Sequence, residues 1–142
     1  MIRIAVLGDI GSGKSFFAKL LKIPLFCADE VVQSLYSKSR SLFSKFKKTF
    51  PKNLEKFPIK KSELINIINQ NPKNLKKIIK IVHPIVRKEM KLFLKKNKNK
   101  EIVILDIPLL LENKINNQKD ILVFVESKKK DREKRLKKRQ NF

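Results

Sequence analysis

Residues 1–15 read Met1-Ile-Arg-Ile-Ala-Val-Leu-Gly-Asp-Ile-Gly-Ser-Gly-Lys-Ser15. The run from Ile2 to Leu7 is short, apolar and partly β-branched, which predicts a buried strand. Lys14 to Lys22 carries Phe17, Ala18 and Leu21 at helical spacing, which predicts a helix ended by Pro24. Between the two lies Gly8-Asp-Ile-Gly-Ser-Gly-Lys14-Ser15, a match to G-x-x-x-x-G-K-[ST] in its required setting of strand before and helix after. All three glycines of the chain, Gly8, Gly11 and Gly13, fall inside this stretch.

Each residue type in the stretch has a physical reason. Glycines allow positive φ and let backbone approach an oxygen closely. Successive N–H groups, those of Gly11, Ser12 and Gly13 among them, form an anion nest. The helix that follows adds its unpaired N–H groups and the positive end of its dipole. Lys14 reaches the β- and γ-phosphates as a point charge, and Ser15 offers a hydroxyl to Mg²⁺. The stretch therefore predicts a nucleoside triphosphate, ATP in the first instance, with Mg²⁺. It does not say what accepts the phosphate.

Outward from this loop, three more short apolar runs predict strands at about 25–28, 101–106 and 121–125. Helical patterns fill about 30–50, 62–69, 72 onward and 128–140. Pro84 is expected to break or restart the helix around it, and Ser62 to cap the short one. Apolar strands separated by helices predict an α/β fold whose mostly parallel sheet is covered on both faces. The whole chain of 142 residues reads as a single domain, with about 35–100 as a helical insertion between the second and third strands.

The strand ends carry the remaining candidates. Ligands of open α/β sheets sit beyond the carboxyl ends of the strands, where Asp29 and Asp106 fall. One such carboxylate can hold Mg²⁺ through water, and another can take a proton from a substrate hydroxyl. Each can equally cap the segment that follows it. Arg135 and Arg139 lie four apart on the last predicted helix and form a candidate phosphoryl clamp, or a solvated face with i,i+4 pairs. His83, the single histidine, precedes a proline and reads as a turn or capping residue. Cys27, the single cysteine, reads as a reduced structural thiol, which points to the cytoplasm.

Composition narrows the classes further. Lys and Arg number 35 against 13 Asp and Glu, a net charge of +22, most of it in residues 35–100. A solvated lysine face, a field for an anionic small substrate and a nucleic-acid surface all account for such a block. Lysine supplies nearly all of the charge without regular aromatic interleaving, which argues against nucleic acid. No apolar run is long enough for a membrane span, and the N-terminus does not read as a signal peptide.

Taken in order, these pieces resemble the dephospho-coenzyme A kinases, P-loop kinases of the nucleoside-monophosphate-kinase type. The resemblance is carried by Gly8–Ser15, Cys27-Ala28-Asp29-Glu30, Ile59-Lys-Lys-Ser-Glu-Leu64, His83-Pro84-Ile-Val86, Asp106-Ile-Pro-Leu-Leu-Leu-Glu112 and Arg135-Leu-x-x-Arg139. It implies a three-layer P-loop kinase fold with a mostly parallel sheet and a helical insertion, and phosphorylation of the 3′-hydroxyl of dephospho-CoA by ATP. It further implies Asp29 as the base at that hydroxyl. Asp106, Pro108 and Glu112 would belong to the acceptor pocket with His83 as a neighbour, and Arg139 to a lid that begins near 135. Another small-acceptor kinase of this architecture, and an inactive basic anion or nucleic-acid binder, are the alternatives. The sequence departs from the family pattern at Asp9, where Gly is usual, at Phe16, where Thr is common, at Lys60-Lys61, where Asp-Arg is usual, and at Arg132, where Gln is usual. Family members continue past residue 142 with the rest of the lid, a final strand and an adenine loop, so a fragment or a truncated form is expected.

Overall fold

A computed structural model of the chain describes residues 1–107 and 119–138. The chain divides into two compact units. The first holds Met1–Ala28 together with the chain from Phe93 onward, and the second is Asp29–Leu92.

Among the described residues the first unit has four strands: β1 (Ile2–Leu7), β2 (Leu25–Cys27), β3 (Ile102–Asp106) and β4 (Ile121–Phe124). Their spatial order is β2-β3-β1-β4 and every pairing is parallel. The expected α/β fold with a parallel sheet is therefore present. Ala5 stands opposite Leu105 and Cys27 opposite Asp106, so the carboxyl ends of β1, β2 and β3 lie along one edge of the sheet. Helix α1 (Lys14–Leu20) packs on one face, where Ala18 and Val6 meet Ile104 with Phe17, Ile23, Leu25 and Val125 around them. Val103 and Leu105 alternate to the opposite face and are also fully buried, as is Ala5. Phe26 meets Phe93 at a ring separation of 5.6 Å. Burial on both faces is what a parallel sheet needs, and it explains why these strands lack polar alternation. Among the described residues β4 lies at one edge of the sheet and β2 at the other, and Ile121, Leu122 and Phe124 of β4 are exposed. Its start is pinned by Asp120, whose carboxylate is paired with Arg3 of β1. Nη2 donates to Oδ2 at 2.9 Å and Nε lies 2.9 Å from Oδ1. The last described helix of this unit is α6 (Lys129–Lys138).

The second unit is helical. It holds most of α2 (Ala28–Lys38), then α3 (Arg40–Thr49), α4 (Lys61–Gln70) and the greater part of α5 (Lys73–Lys96). Leu42, Phe46, Phe50, Leu54, Ile59, Leu64, Ile67, Ile78 and Val82 make its core. Apolar positions three and four apart on α3, α4 and α5 supply six of these residues, as an amphipathic helix requires, and the segment between α3 and α4 adds Phe50, Leu54 and Ile59.

Three local expectations are corrected here. The helix expected over 30–50 is two helices, because Ser39 leaves the helical region and its hydroxyl accepts a hydrogen bond from the Leu42 N–H at 3.1 Å, capping α3. Ser62 does not cap α4. Lys60 holds that position, and the Glu63 carboxylate turns back to accept from the Lys60 N–H at 2.8 Å and the Glu55 N–H at 2.9 Å. Pro84 does not end a helix but lies inside α5. It sits on the exposed side, where water can reach the carbonyl four residues back that has lost its donor, while Val82 and Ile78 anchor the buried side.

Among the described residues no helix is long and apolar enough to cross a membrane.

Candidate active site

The glycine loop joins β1 to α1 at the carboxyl edge of the sheet. At Gly8 a side chain is excluded by contact: a Cβ would fall 2.5 Å from the Val125 carbonyl oxygen and 2.7 Å from Ser12 Oγ. Gly13 precedes α1 with φ +96, a left-handed conformation costly for any L side chain. Between them the Ser12 N–H bonds to the Asp9 carbonyl at 3.0 Å and closes a turn. The first helical bond runs from Phe17 N–H to Gly13 carbonyl at 2.9 Å. The N–H groups of Lys14, Ser15 and Phe16 therefore have no intrahelical acceptor, which is the arrangement that receives an anion. Lys14 opens α1 and is half-buried. Ser12 is buried, and its Oγ has no hydrogen-bond partner among the described residues.

Beside the loop stands Asp106, the last residue of β3, 2% exposed. Ser15 Oγ donates to its Oδ2 at 2.5 Å. The Cys27 thiol lies 3.9 Å from the same oxygen, since β2 and β3 pair at those two residues. Asp106 Oδ1 is buried and has no partner among the described residues. The hydroxyl and the carboxylate are hard oxygen donors of the kind Mg²⁺ takes, and Mg²⁺ is ordinarily held by one or two carboxylates, with phosphates and waters completing its shell. The donor set fits that ion. Among the described residues no group of three or more His, Cys, Asp or Glu gathers into a closed metal cage.

Helix α6 covers the outer side of the loop. Arg135 Nη1 donates to the carbonyls of Gly11 at 3.0 Å and Ser12 at 3.1 Å. Arg132 forms an ion pair with Asp9. A Cβ on Gly11 would stand 3.3 Å from the Arg132 carbonyl and 3.3 Å from Leu136 Cγ, so helix and loop meet closely there.

The structure thus brings together Gly8, Gly11, Ser12, Gly13, Lys14, Ser15, Asp106 and Arg135 of the expected site. Asp29 lies in the second unit, exposed in the first turn of α2. His83 also lies there. It is a half-buried residue of α5 rather than a turn or cap, because the helix continues through Pro84. Pro108, Glu112 and Arg139 lie outside the described residues. Sequence reasoning missed two relationships. The proximity of Cys27 to Asp106 depends on β2 pairing with β3. The Asp9–Arg132 pair spans 123 positions. Its sequence signal is two residues of opposite charge, Asp9 and Arg132, that each depart from the family pattern.

A β1–glycine loop–α1 unit, with a serine hydroxyl bonded to a buried carboxylate on the adjacent parallel strand, defines a P-loop α/β protein. A family model described as dephospho-CoA kinase matches residues 2–142. The dephospho-CoA kinase of Zymomonas mobilis is 32% identical over 128 residues, covering 88% of this chain and 65% of that protein. That of Agrobacterium fabrum is 32% identical over 130 residues, covering 88% and 66%. The crystal structure of TT1252 from Thermus thermophilus superposes with a TM-score of 0.74 at 28% identity, covering 99% of this chain and 73% of that one. The chain belongs to the dephospho-CoA kinase family. It spans about two thirds of the length of the curated relatives, 65% and 66% of the two named above.

Proposed function

We propose that this chain is the P-loop kinase domain of an enzyme that transfers the γ-phosphoryl group of ATP to the 3′-hydroxyl of dephospho-CoA. The observation that carries the proposal is the family match over residues 2–142, which extends far beyond a glycine loop shared by many unrelated proteins. The site geometry supports it: an anion-receiving loop, and a hydroxyl–carboxylate pair with the donors Mg²⁺ takes. Residues 1–142 are taken as one kinase domain whose helical segment, about 35–100, is the acceptor-binding insertion and whose lid begins near 135.

In this reading Gly8, Gly11, Ser12, Gly13, Lys14 and Ser15 hold the triphosphate. Ser15 and Asp106 would hold Mg²⁺, Asp106 through water. When bound, that ion neutralises charge on the phosphate oxygens. Asp29 takes the proton of the acceptor hydroxyl as its oxygen bonds to the γ-phosphorus. The bond from that phosphorus to the β–γ bridging oxygen breaks, and ADP leaves. Lys14 and Arg139 stabilise the charge on the transferring group. His83, Pro108 and Glu112 complete the substrate contacts, while Arg135, expected as a phosphoryl clamp, acts through the loop carbonyls that it holds. A cytoplasmic location is part of this reading, supported by a single cysteine that has no second cysteine in the chain to pair with.

The test offers purified protein MgATP and a panel of acceptors: dephospho-CoA, nucleoside monophosphates and none. Phosphorylation of dephospho-CoA that falls by about 10²–10³-fold in Lys14→Ala supports the proposal. Transfer to a nucleotide but not to dephospho-CoA points instead to another small-acceptor kinase. Salt-sensitive nucleic-acid binding without ATP turnover points to a basic binder.

A further inference from the structure

We propose that Asp9 is a positioning residue of the glycine loop: with Arg132 it forms a latch that seats α6 on the loop and so aims Arg135 at the loop's carbonyls. Asp9 has 62% of its side chain exposed and Arg132 26%, and the two meet across 123 positions of sequence. One turn further along the same helix face, Arg135 donates to the carbonyls of Gly11 and Ser12. Leu136 and the Arg132 backbone lie where Gly11 lacks a side chain. Ion pair, hydrogen bonds and packing therefore converge on residues 9–12 from one helix.

The planarity of the peptide gives this contact a consequence. In a trans peptide the N–H points opposite to the C=O. With its carbonyls held by Arg135, the loop turns the N–H groups of Ser12 and Gly13 away from α6. The Ser12 N–H closes the turn onto Asp9. The Gly13 N–H is left directed to the side away from the helix, where a bound anion gains from it. Arg135 thus acts on the loop from behind, and Asp9 with Arg132 decides whether Arg135 is there.

The charge of Asp9 makes the proposal separable from its opposite. A carboxylate in a loop that binds polyanions repels them, so simple electrostatics predicts tighter ATP binding once the charge is removed. A latch predicts the reverse, because loss of the pair frees α6 and Arg135. The ATP arm rests on the phosphate-binding reading of the loop; the latch itself does not.

The experiment measures amide hydrogen exchange of α6 and the glycine loop in the nucleotide-free full chain, at low and high salt. The proteins are the parent, Asp9→Asn, Arg132→Gln, the double variant, and the exchanged pair Asp9→Arg with Arg132→Asp. Each single variant should lose up to about fivefold protection in α6, the range of partly exposed ion pairs, and the difference should vanish at high salt. The double variant should lose no more than either single one, and the exchanged pair should recover protection. ATP affinity should fall in Asp9→Asn. Unchanged α6 protection in both single variants, additive losses, or tighter ATP binding in Asp9→Asn would overturn the proposal. If the parent binds no ATP, the exchange data still decide the latch, and it is the functional reading that fails.

Discussion

Ser15 and Asp106, 91 positions apart, are joined by a hydrogen bond of 2.5 Å at the carboxyl edge of the sheet. The serine opens α1 behind the glycine loop and the aspartate closes β3, so the bond ties the phosphate loop to the adjacent strand. Asp106→Asn keeps the shape and one oxygen able to accept from Ser15, but removes the charge. If Asp106 helps hold Mg²⁺, the Mg²⁺ concentration that half-saturates turnover should rise about 10–100-fold, with little change in melting temperature. An unchanged Mg²⁺ dependence would remove Asp106 from that role.

Gly8→Ala should destabilise the protein whether or not nucleotide is present. Its Cβ would fall 2.5 Å from the Val125 carbonyl oxygen, and backbone cannot yield as a flexible side chain does. Thermal melts of the nucleotide-free protein should show a loss of about 1–3 kcal/mol or more, the scale of overpacking in a crowded site. Gly13→Ala should show a smaller loss of about 1–2 kcal/mol, since there the cost is the left-handed φ while the nearest atom stands at 3.6 Å.

Asp120 is a nearly dry carboxylate, 1% exposed, held by Arg3. Arg3→Ala leaves that charge buried without its guanidinium and should cost about 3–5 kcal/mol. Replacing both, as Arg3→Met with Asp120→Leu, should cost much less, because no charge is then stranded. Denaturant unfolding of the two variants measures the difference; equal losses would show that packing rather than charge governs the site.

Glu63 is legible in sequence as a polar residue on an amphipathic helix, yet it is 8% exposed and serves two backbone N–H groups. Glu63→Ala should cost about 1–3 kcal/mol for each donor left unsatisfied. Glu63→Gln retains one carbonyl oxygen and should fall between Ala and the parent. Equilibrium unfolding gives the order, and a Gln variant no better than Ala would contradict it.

Burial against the helical core raises the Tyr36 phenol above its ordinary pKa. The unfolded phenol then ionises first, so above about pH 10 the unfolded chain binds fewer protons and stability falls as pH rises. Below that pH the contribution is fully present. Stability measured from pH 8 to 11 should fall less steeply in Tyr36→Phe than in the parent. Equal slopes would show that the many lysines account for the alkaline loss.

The glycine loop was legible because its chemistry is local: strand, tight turn and helix start occupy consecutive residues, and each demands a residue type. β3, at the centre of the sheet, was legible because burial on both faces leaves an apolar run, whereas β4 was legible from its apolar residues alone, three of which are exposed. Pro84 was misread because the rule against proline in a helix concerns a single hydrogen bond, whereas Ile78 and Val82 hold α5 to its core around it. The helix expected over 30–50 was misjudged for the converse reason. Ser39 has ordinary helical neighbours, and its capping bond to Leu42 is invisible until the backbone turns.

By itself the sequence determined a phosphate loop, a parallel α/β fold and the family whose motifs it carries, since all of these rest on residue types at short spacings. Tertiary structure decided the rest of what surrounds the loop. The order β2-β3-β1-β4 sets Asp106 on the strand next to the loop, and the packing of α6 makes Asp9 and Arg132 partners. Those relationships join residues some ninety and more than a hundred positions apart, and no periodicity along the chain encodes which strand lies beside which.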